Sequence, residues 1–314
     1  MPEVLTIGEP MGLMVADEVK PLEDVQHFTR YVCGSEINFA VGLARLEHSI
    51  SYITRLGNDP FGKHIKKFLL ANNIDNTYVA LDDNNKTGMQ LKAKVLSGDP
   101  EVVNFRKGTA FSYMSPDNLS NINWEGVKHL HVTGIPPALS ESCRKTTYKI
   151  MEMARSKNIR ISFDTNLRPA LWPSKEDMAR VVNDLAGRAD IVLPGIGEAE
   201  LLMGSRDLET IADFYMKAGA KTVIIKTGPD GAFCKDGSES FHTPAFKIEK
   251  VVDTVGAGDG FAVGVVSALL EGLTLKEAVQ RGNAVGALAV MSPGDNEGLP
   301  TRAQLQHFFD THAH

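Results

Sequence analysis

The sequence predicts an α/β fold in which a mostly parallel sheet carries helices on both faces. Short apolar segments alternate with stretches of helical periodicity along most of the chain, and this alternation is typical of βαβ units. The predicted strands are residues 4–7, 51–55, 129–132, 159–164, 191–193 and 222–226. The predicted helices are residues 36–46, 61–71, 140–157, 175–188, 198–203 and 209–218. Active sites of such sheets lie beyond the carboxyl ends of the strands.

Two segments, residues 12–32 and 87–111, interrupt the alternation and read as β hairpins. A turn at residues 98–100 separates a predicted strand at 90–96 from another at 101–106. Polar and apolar residues alternate in both hairpins, as expected of a small sheet with one exposed face. We therefore predict one domain, residues 1–314, with these segments forming a lid that excludes water from a site beneath it.

Composition narrows the class of protein. The chain has 314 residues, of which 43% are hydrophobic, so it can bury a full core. Its formal net charge of -6 argues against nucleic acid as a partner, and no apolar run is long enough to predict a membrane span. The beginning of the sequence lacks the basic segment of a signal peptide, and its three cysteines are widely separated. These features predict a cytoplasmic protein.

The most informative motif is DTVGAGDG at residues 253–260, which an apolar helical run at 261–270 follows directly. Glycines allow consecutive N–H groups to converge at a helix start, where the helix dipole favours an anion such as phosphate. Asp259 adds a carboxylate to this cradle, which a site that only bound anions would avoid. Phosphoryl transfer needs both features, because the N–H groups stabilise the moving phosphoryl group and a carboxylate accepts the proton of the attacking hydroxyl.

Three other interpretations of the glycine motifs are weaker. GAGD alone also fits an ordinary capped helix start. The spacing of the glycines at 256, 258 and 260 differs from that of a dinucleotide-binding loop. Residues 57–64, GNDPFGKH, nearly match the phosphate-binding P-loop, but His64 stands where that loop needs a hydroxyl. This last segment fits a strand end, a turn at Pro60 and a helix that begins near Phe61.

Taken together, the motifs resemble those of the PfkB, or ribokinase-like, family of sugar kinases. Residues 34–46 resemble the N-terminal signature of the family, and residues 253–264 its C-terminal signature. The resemblance covers essentially the whole chain, and it implies a ribokinase-like three-layer sandwich with a β-sheet lid. Within the family, GEP at 8–10, NFRKG at 104–108, DTNLRP at 164–169 and GDNEG at 294–298 are most similar to the 2-keto-3-deoxygluconate kinases.

The resemblance also implies roles for individual residues. Asp259 would be the general base, and the N–H groups of Gly256, Ala257 and Gly258 would form the anion hole. The residues implied in binding the sugar are Gly34, Asn38, Gln90, Asn104, Arg106 and Arg168, together with Asp259. Guanidinium groups bind carboxylates in a bidentate manner, so the two arginines favour a sugar acid over a neutral hexose.

ATP and Mg²⁺ are the implied cofactors. The nucleotide would lie near Lys226, Gly228, Gly231, Gly256 and Gly258, with Asn283 on the adenine side. Glu198 matches a motif linked to Mg²⁺ through water. Asp253 and Val255 match a loop that binds a monovalent cation such as K⁺ in relatives.

Gln90 and Asn104 depart from the pattern, because close relatives have tyrosines at these lid positions. This departure keeps a fructokinase-like or other neutral-sugar kinase open as an alternative. A non-catalytic sugar-binding regulator is a further alternative, although the carboxylate of Asp259 would then have no purpose. Exposed lid strands also predict a homo-oligomer, in which the lids of two subunits pair and cover their edges.

Overall fold

The computed structural model describes residues 1–96, 98, 100–248, 251–292 and 294–312. Its strands in chain order are β1 (Val4–Ile7), β2 (Met11–Ala16), β3 (Phe28–Cys33), β4 (Ile50–Gly57), β5 (Val79–Asp82), β6 (Met89–Lys92), β7 (Val102–Phe105), β8 (His129–Thr133), β9 (Arg160–Asp164), β10 (Ile191–Val192), β11 (Thr222–Lys226), β12 (Ala232–Asp236) and β13 (Ser240–Thr243). Its α-helices are α1 (Ser35–Arg45), α2 (Pro60–Ala71), α3 (Pro136–Leu139), α4 (Glu141–Ser156), α5 (Lys175–Gly187), α6 (Ile196–Met203), α7 (Leu208–Ala218), α8 (Ala257–Leu270), α9 (Leu275–Ala289) and α10 (Arg302–Thr311).

The larger sheet has the strand order β13-β12-β11-β10-β9-β8-β1-β4-β5. Its pairs are parallel from β11 through to β5, whereas β12 and β13 form an antiparallel edge. Side chains alternate between its two faces, so each face is apolar and is covered by helices. Ile225 packs in one core with Ile150 of α4 and Val181 of α5, while Ile224 packs in a second core with Leu43 of α1 and Val265 of α8. The predicted three-layer arrangement is confirmed.

The smaller sheet has the order β3-β2-β6-β7 and forms the predicted lid. The pairs β2·β3 and β6·β7 are antiparallel, and β2 pairs with β6 in parallel. The second hairpin is shorter than predicted, because β6 ends at Lys92 and residues 94–96 are exposed. Asp99 of the predicted turn lies outside the described residues.

The sequence prediction missed several elements. Strands β5, β12 and β13 are short, and their polar residues hide the apolar alternation that reveals a buried strand. Helix α8 starts at Ala257 instead of residue 261, so Asp259 lies in its first turn. The prediction for residues 57–64 was right: β4 ends at Gly57, and the carboxylate of Asp59 accepts a hydrogen bond from the N–H of Gly62 at 2.9 Å, capping α2. In the described part of the chain, no helix is long and apolar enough to cross a bilayer.

Candidate active site

A cavity of about 610 Å³ lies between the lid and the carboxyl ends of the central strands. The lid contributes Met11, Cys33 and the polar side chains that face it from β6 and β7, and the main sheet contributes residues at strand ends and helix starts. The predicted site residues that line this cavity are Gly34, Asn38, Gln90, Asn104, Arg106, Arg168, Glu198, Lys226, Val255, Gly256, Gly258 and Asp259. The structure therefore brings both sequence signatures and the lid to one place.

Asp259 is the buried carboxylate at the centre of the cavity wall, with 9% of its surface exposed. Its Oδ1 accepts hydrogen bonds from the hydroxyl of Ser35 at 2.6 Å and the amide of Asn166 at 3.2 Å, and its Oδ2 accepts one from the amide of Asn38 at 2.8 Å. Burial raises the pKa of Asp259, while the hydrogen bonds from Ser35 and Asn38 act against the rise. A fixed carboxylate of raised pKa is a competent general base.

The anion hole is the first turn of α8. Gly256 stands at the N-cap with φ of +79°, and a Cβ there would lie 2.4 Å from the carbonyl oxygen of Asp295. Only glycine fits both the backbone angle and this close approach. The N–H groups of a first helical turn have no partner in the preceding turn. The N–H of Gly258 is therefore placed to bind an anion beside Asp259, with the helix dipole behind it. That of Ala257 makes a long hydrogen bond, of 3.4 Å, to the carbonyl oxygen of Thr254.

A second glycine, Gly34, shapes another part of the cavity wall. Gly34 precedes α1 with φ of +136°, and a Cβ there would lie 2.9 Å from the carbonyl oxygen of Glu9. This tight turn starts α1 so that Ser35 and Asn38 reach Asp259. The N-terminal signature thus positions the base, and its backbone forms part of the cavity wall.

The lid covers the cavity with neutral polar groups. Gln90 and Asn104 lie directly opposite each other on β6 and β7, so their side chains leave the same face of the lid sheet. The side-chain carbonyl of Gln90 accepts a hydrogen bond from the thiol of Cys33 at 3.0 Å. Both residues line the cavity, as the sequence predicted.

The two predicted arginines differ in their partners. The guanidinium of Arg106 donates to Oε2 of the buried Glu9 from Nε at 2.8 Å and from Nη2 at 2.7 Å. Arg168 donates from Nη1 to the carbonyl oxygen of Leu167 at 2.8 Å, and among the described residues no carboxylate lies within ion-pair distance of it. Arg168 therefore lines the cavity without a direct ion pair, although its charge acts against the rise in the pKa of Asp259 that burial causes, whereas Arg106 is paired with Glu9.

Lys226 lines the same cavity from the end of β11. Its ammonium contacts both oxygens of Asp164, at 2.8 and 2.7 Å, and lies 3.4 Å from the position of a Cβ on Gly258. Burial raises the pKa of Asp164 to about 6, although the charge of Lys226 acts against the rise. Burial alone lowers the pKa of Lys226, but the negative charge of Asp164 outweighs it and the pKa is raised. Lys226 is therefore a cation fixed beside the anion hole.

Glu198 orders the segment that carries Arg168. Its Oε2 accepts hydrogen bonds from the hydroxyl of Thr165 at 2.7 Å and the N–H of Gly195 at 2.8 Å, and its Oε1 accepts one from the N–H of Leu167 at 2.6 Å. With these donors in place, contact with Mg²⁺ would pass through water. Among the residues that the structure describes, no three acidic, histidine or cysteine side chains form a metal cluster.

Three predicted nucleotide residues lie outside this cavity. Gly228 and Gly231 form the turn after β11, and a Cβ on Gly231 would meet the carbonyl oxygen of Thr243 at 2.1 Å. The amide of Asn283 donates to the carbonyl oxygens of Thr243 and Pro244, at 3.1 and 3.0 Å. These residues therefore surround the segment after β13.

Several polar residues of the site carried no predicted role. Ser35 and Asn166 hold Asp259, Asp164 holds Lys226, and Glu36 lines the cavity beside them. Burial raises the pKa of Glu36 to about 7, against the hydrogen bond it accepts from the hydroxyl of Thr133. All four stand in the motifs at 34–46 and 164–169, so a signal was present. The hydrogen bonds of Ser35 and Asn166 to Asp259 could not be predicted, because these residues lie far apart in the sequence.

A larger cavity, of about 700 Å³, lies at the opposite edge of the central sheet, where strands β8 to β11 begin. Some of its charged groups have partners close by: Lys221 pairs with Asp190 at 2.7 Å, and Arg155 donates to the carbonyl oxygen of Arg188 at 2.6 Å. No base and anion hole meet there among the described residues. The chemistry therefore belongs to the smaller cavity.

A buried carboxylate beside an anion-binding helix start, beneath a β-sheet lid, defines a phosphoryl-transfer site in an α/β fold. The model of the pfkB family of carbohydrate kinases matches residues 1–302, and the chain belongs to this family. The 2-dehydro-3-deoxygluconokinase of Bacillus subtilis (strain 168) is 46% identical over 98% of this chain and 95% of its own length.

Solved structures agree with the fold. That of a PfkB protein from Polaromonas sp. JS666 is 43% identical and has a TM-score of 0.89, covering 98% of this chain and 99% of its own. A putative ribokinase II from E. coli in complex with ATP and Mg²⁺ is 26% identical and has a TM-score of 0.90, covering 99% of this chain and 100% of its own. The ribokinase-like fold predicted from the sequence is confirmed.

Proposed function

We propose that this kinase uses ATP to phosphorylate the 6-hydroxyl of 2-keto-3-deoxygluconate, also called 2-dehydro-3-deoxygluconate. The observation that carries the proposal is the presence of a base and a cation in one cavity: Asp259 at the start of α8, and Arg168, which has no carboxylate within ion-pair distance among the described residues. A primary hydroxyl at one end of the acceptor would meet the base, and the carboxylate at its other end would meet the guanidinium. The 46% identity to a 2-dehydro-3-deoxygluconokinase supports the same substrate.

In the proposed mechanism, Asp259 accepts the proton of the hydroxyl as its oxygen attacks the γ-phosphorus of ATP. Ser35, Asn38 and Asn166 hold the carboxylate in position. The N–H groups of Gly256, Ala257 and Gly258 stabilise charge on the transferred group, with Lys226 beside them. The lid keeps water from competing with the sugar.

ATP is proposed to lie across the anion hole, with its base towards Gly228, Gly231 and Asn283. Mg²⁺ bound to ATP would neutralise charge on the β- and γ-phosphates. Glu198 faces the cavity and would contact this ion through water. The ATP and Mg²⁺ in the ribokinase II structure support this assignment.

A fructokinase-like activity is the second candidate, because Gln90 and Asn104 make the lid side of the cavity neutral and hydrogen-bonding. A neutral sugar would make no use of the guanidinium of Arg168, which lines the cavity and has no carboxylate within ion-pair distance among the described residues. The sugar acid is therefore favoured.

The test is ADP release with ATP and Mg²⁺ over a panel of 2-keto-3-deoxygluconate, its galactose-derived epimer, 2-deoxy-5-ketogluconate, fructose and ribose. The proposal predicts turnover on the keto-deoxy acids and little on the neutral sugars. Preferred turnover on fructose would reject the acid substrate and keep the family. Sugar binding without ADP release on any member of the panel would instead favour a non-catalytic regulator.

A homodimer through the lids is part of the proposal. Strands β3 and β7 are the edges of the lid sheet, and Tyr31 and Phe105 on them are 37% and 51% exposed. Pairing of two lids would cover these edges and their apolar side chains. A monomeric mass by light scattering at micromolar concentration would reject this assembly.

The chain is proposed to act as one kinase unit, with the lid segments 12–32 and 87–111 inserted in it. Its cysteines are free and buried, as suits the cytoplasm, where ATP is available. Cell fractionation tests the location.

A further inference from the structure

Lys92 reaches from the lid to the loop that forms the anion hole. It is the last residue of β6, its ammonium lies 2.8 Å from Oδ2 of Asp253 and 3.9 Å from Oδ1 of Asp295, and its side chain is 11% exposed. The three side chains are largely withdrawn from water, so their charges interact more strongly than those of a surface pair.

Asp253 is fully engaged by these contacts. Its Oδ1 accepts a hydrogen bond from the N–H of Val255 at 3.0 Å, while Oδ2 meets Lys92. Its own N–H donates to the carbonyl oxygen of Val290 at 3.3 Å, which ties the loop to the end of α9. Thus one oxygen of the Asp253 carboxylate binds the backbone of the loop, and the other binds the ammonium of Lys92.

Asp295 approaches the same loop from the other side. Its carbonyl oxygen lies against Gly256, the N-cap of α8, and its carboxylate lines the active cavity. Two carboxylates therefore flank a site that must gather negative charge on phosphate. Without a cation between them, they would oppose binding and transfer of the phosphoryl group.

We propose that Lys92 is a built-in cation that replaces the monovalent ion predicted at Asp253 and Val255, so that catalysis needs no K⁺. The residues present do not fit such an ion, because the ammonium already holds the Asp253 oxygen that would bind it, and two cations at one oxygen repel. Because Lys92 belongs to β6, its contact also joins the lid sheet to the loop that precedes α8.

The experiment compares the wild-type enzyme with Lys92→Ala in buffers whose monovalent cation is either K⁺ or tetramethylammonium. Lys94→Ala is the matched control, since Lys94 is an exposed lid lysine two residues away whose ammonium bonds only the carbonyl oxygen of Asp17 among the contacts described. The inference rests on the proposed kinase activity, so turnover is measured on the best acceptor of the panel. Thermal midpoints in the same buffers give a second readout that needs no acceptor.

We expect the turnover of the wild type and of Lys94→Ala to differ by less than about twofold between the two buffers. Both proteins keep Lys92, so K⁺ has no site to bind and cannot change their activity. Lys92→Ala should lose about tenfold or more in tetramethylammonium. K⁺ or methylammonium should restore much of this loss and raise the thermal midpoint of that variant alone.

Activation of the wild type by K⁺, or full activity of Lys92→Ala in tetramethylammonium, would overturn the inference. A loss in Lys92→Ala that neither ion restores would also overturn it, because the side chain would then act through packing alone. Failure of every acceptor in the panel would count against the proposed substrate, while the thermal midpoints would still test the cation.

Discussion

The amide of Asn38 donates a hydrogen bond of 2.8 Å to the carboxylate of Asp259, and so joins two residues that are 221 positions apart in the chain. Asn38 belongs to α1 and Asp259 to the first turn of α8, and these helices pack in one core. Asn296 in turn donates to the side-chain oxygen of Asn38 at 3.4 Å, which fixes the orientation of the amide. The proposed general base is therefore oriented by residues of the N-terminal signature.

Replacing Asn38 with Asp should change the pH dependence of catalysis. A second carboxylate at this position raises the pKa of Asp259, because two negative charges so close disfavour ionisation. The acid limb of the profile of kcat/KM against pH should move up by about one unit or more. Asn38→Ala is the control, since it removes the donor without adding charge. Equal profiles for the two variants would argue against a carboxylate base at this site.

Replacing Arg168 with Ala should weaken the binding of a sugar acid selectively. A charge-assisted hydrogen bond contributes about 1.5–3 kcal/mol, so KM for 2-keto-3-deoxygluconate should rise about 10- to 100-fold. KM for a neutral sugar should change little, and Arg168→Lys should retain part of the affinity. KM values measured for both sugars with each variant decide the matter. A proportional rise for both sugars would mean that Arg168 does not bind the carboxylate.

Variants of Lys226 and Asp164 should distinguish an effect on the stability of the fold from an effect on catalysis. Lys226→Met leaves the buried Asp164 without its cation, and breaking a buried ion pair costs about 3–5 kcal/mol. The double variant Lys226→Met with Asp164→Asn should regain most of this free energy of unfolding, measured by urea denaturation. Its turnover should stay low, because the cation beside the anion hole is still missing. Recovery of turnover together with stability would assign Lys226 a structural role only.

Because of Glu36, the free energy of unfolding should fall as the pH rises. Its pKa is ordinarily near 4.5 and is about 7 in the folded chain, so the folded state holds this proton over that interval. The stabilisation is complete below the lower value and is lost as the pH rises through the higher one. Glu36→Gln stays neutral, so its urea-derived free energy should fall less steeply between pH 5 and 8, by up to about 3 kcal/mol. Parallel curves for the two proteins would show that Glu36 is ionised throughout this range.

Much of the fold follows from local pattern. Buried parallel strands such as β1 and β11 are apolar runs, and both have the bounds that the sequence predicted. The edge strands β12 and β13 escaped prediction because their polar residues are partly exposed. The start of α8 was placed too late because glycine and alanine hide the apolar periodicity of its first turn.

The site was predictable where chemistry resides in a continuous motif. GAGD singles out Asp259 and the proposed anion hole without any tertiary information. The pairs Arg106–Glu9 and Lys92–Asp253 join residues 97 and 161 positions apart, and a single sequence carries no local signal for such contacts. For the same reason, the difference in charge balance between Arg106 and Arg168 becomes visible only in the structure.

The central claim is that Asp259 accepts the proton of the acceptor hydroxyl. The most direct test is the turnover number of Asp259→Asn with saturating ATP, Mg²⁺ and 2-keto-3-deoxygluconate, beside the wild type. The amide keeps the size of the side chain and cannot accept the proton, so kcat should fall by about 10²–10⁴ or more while binding of ATP is retained. Turnover close to that of the wild type would contradict the account.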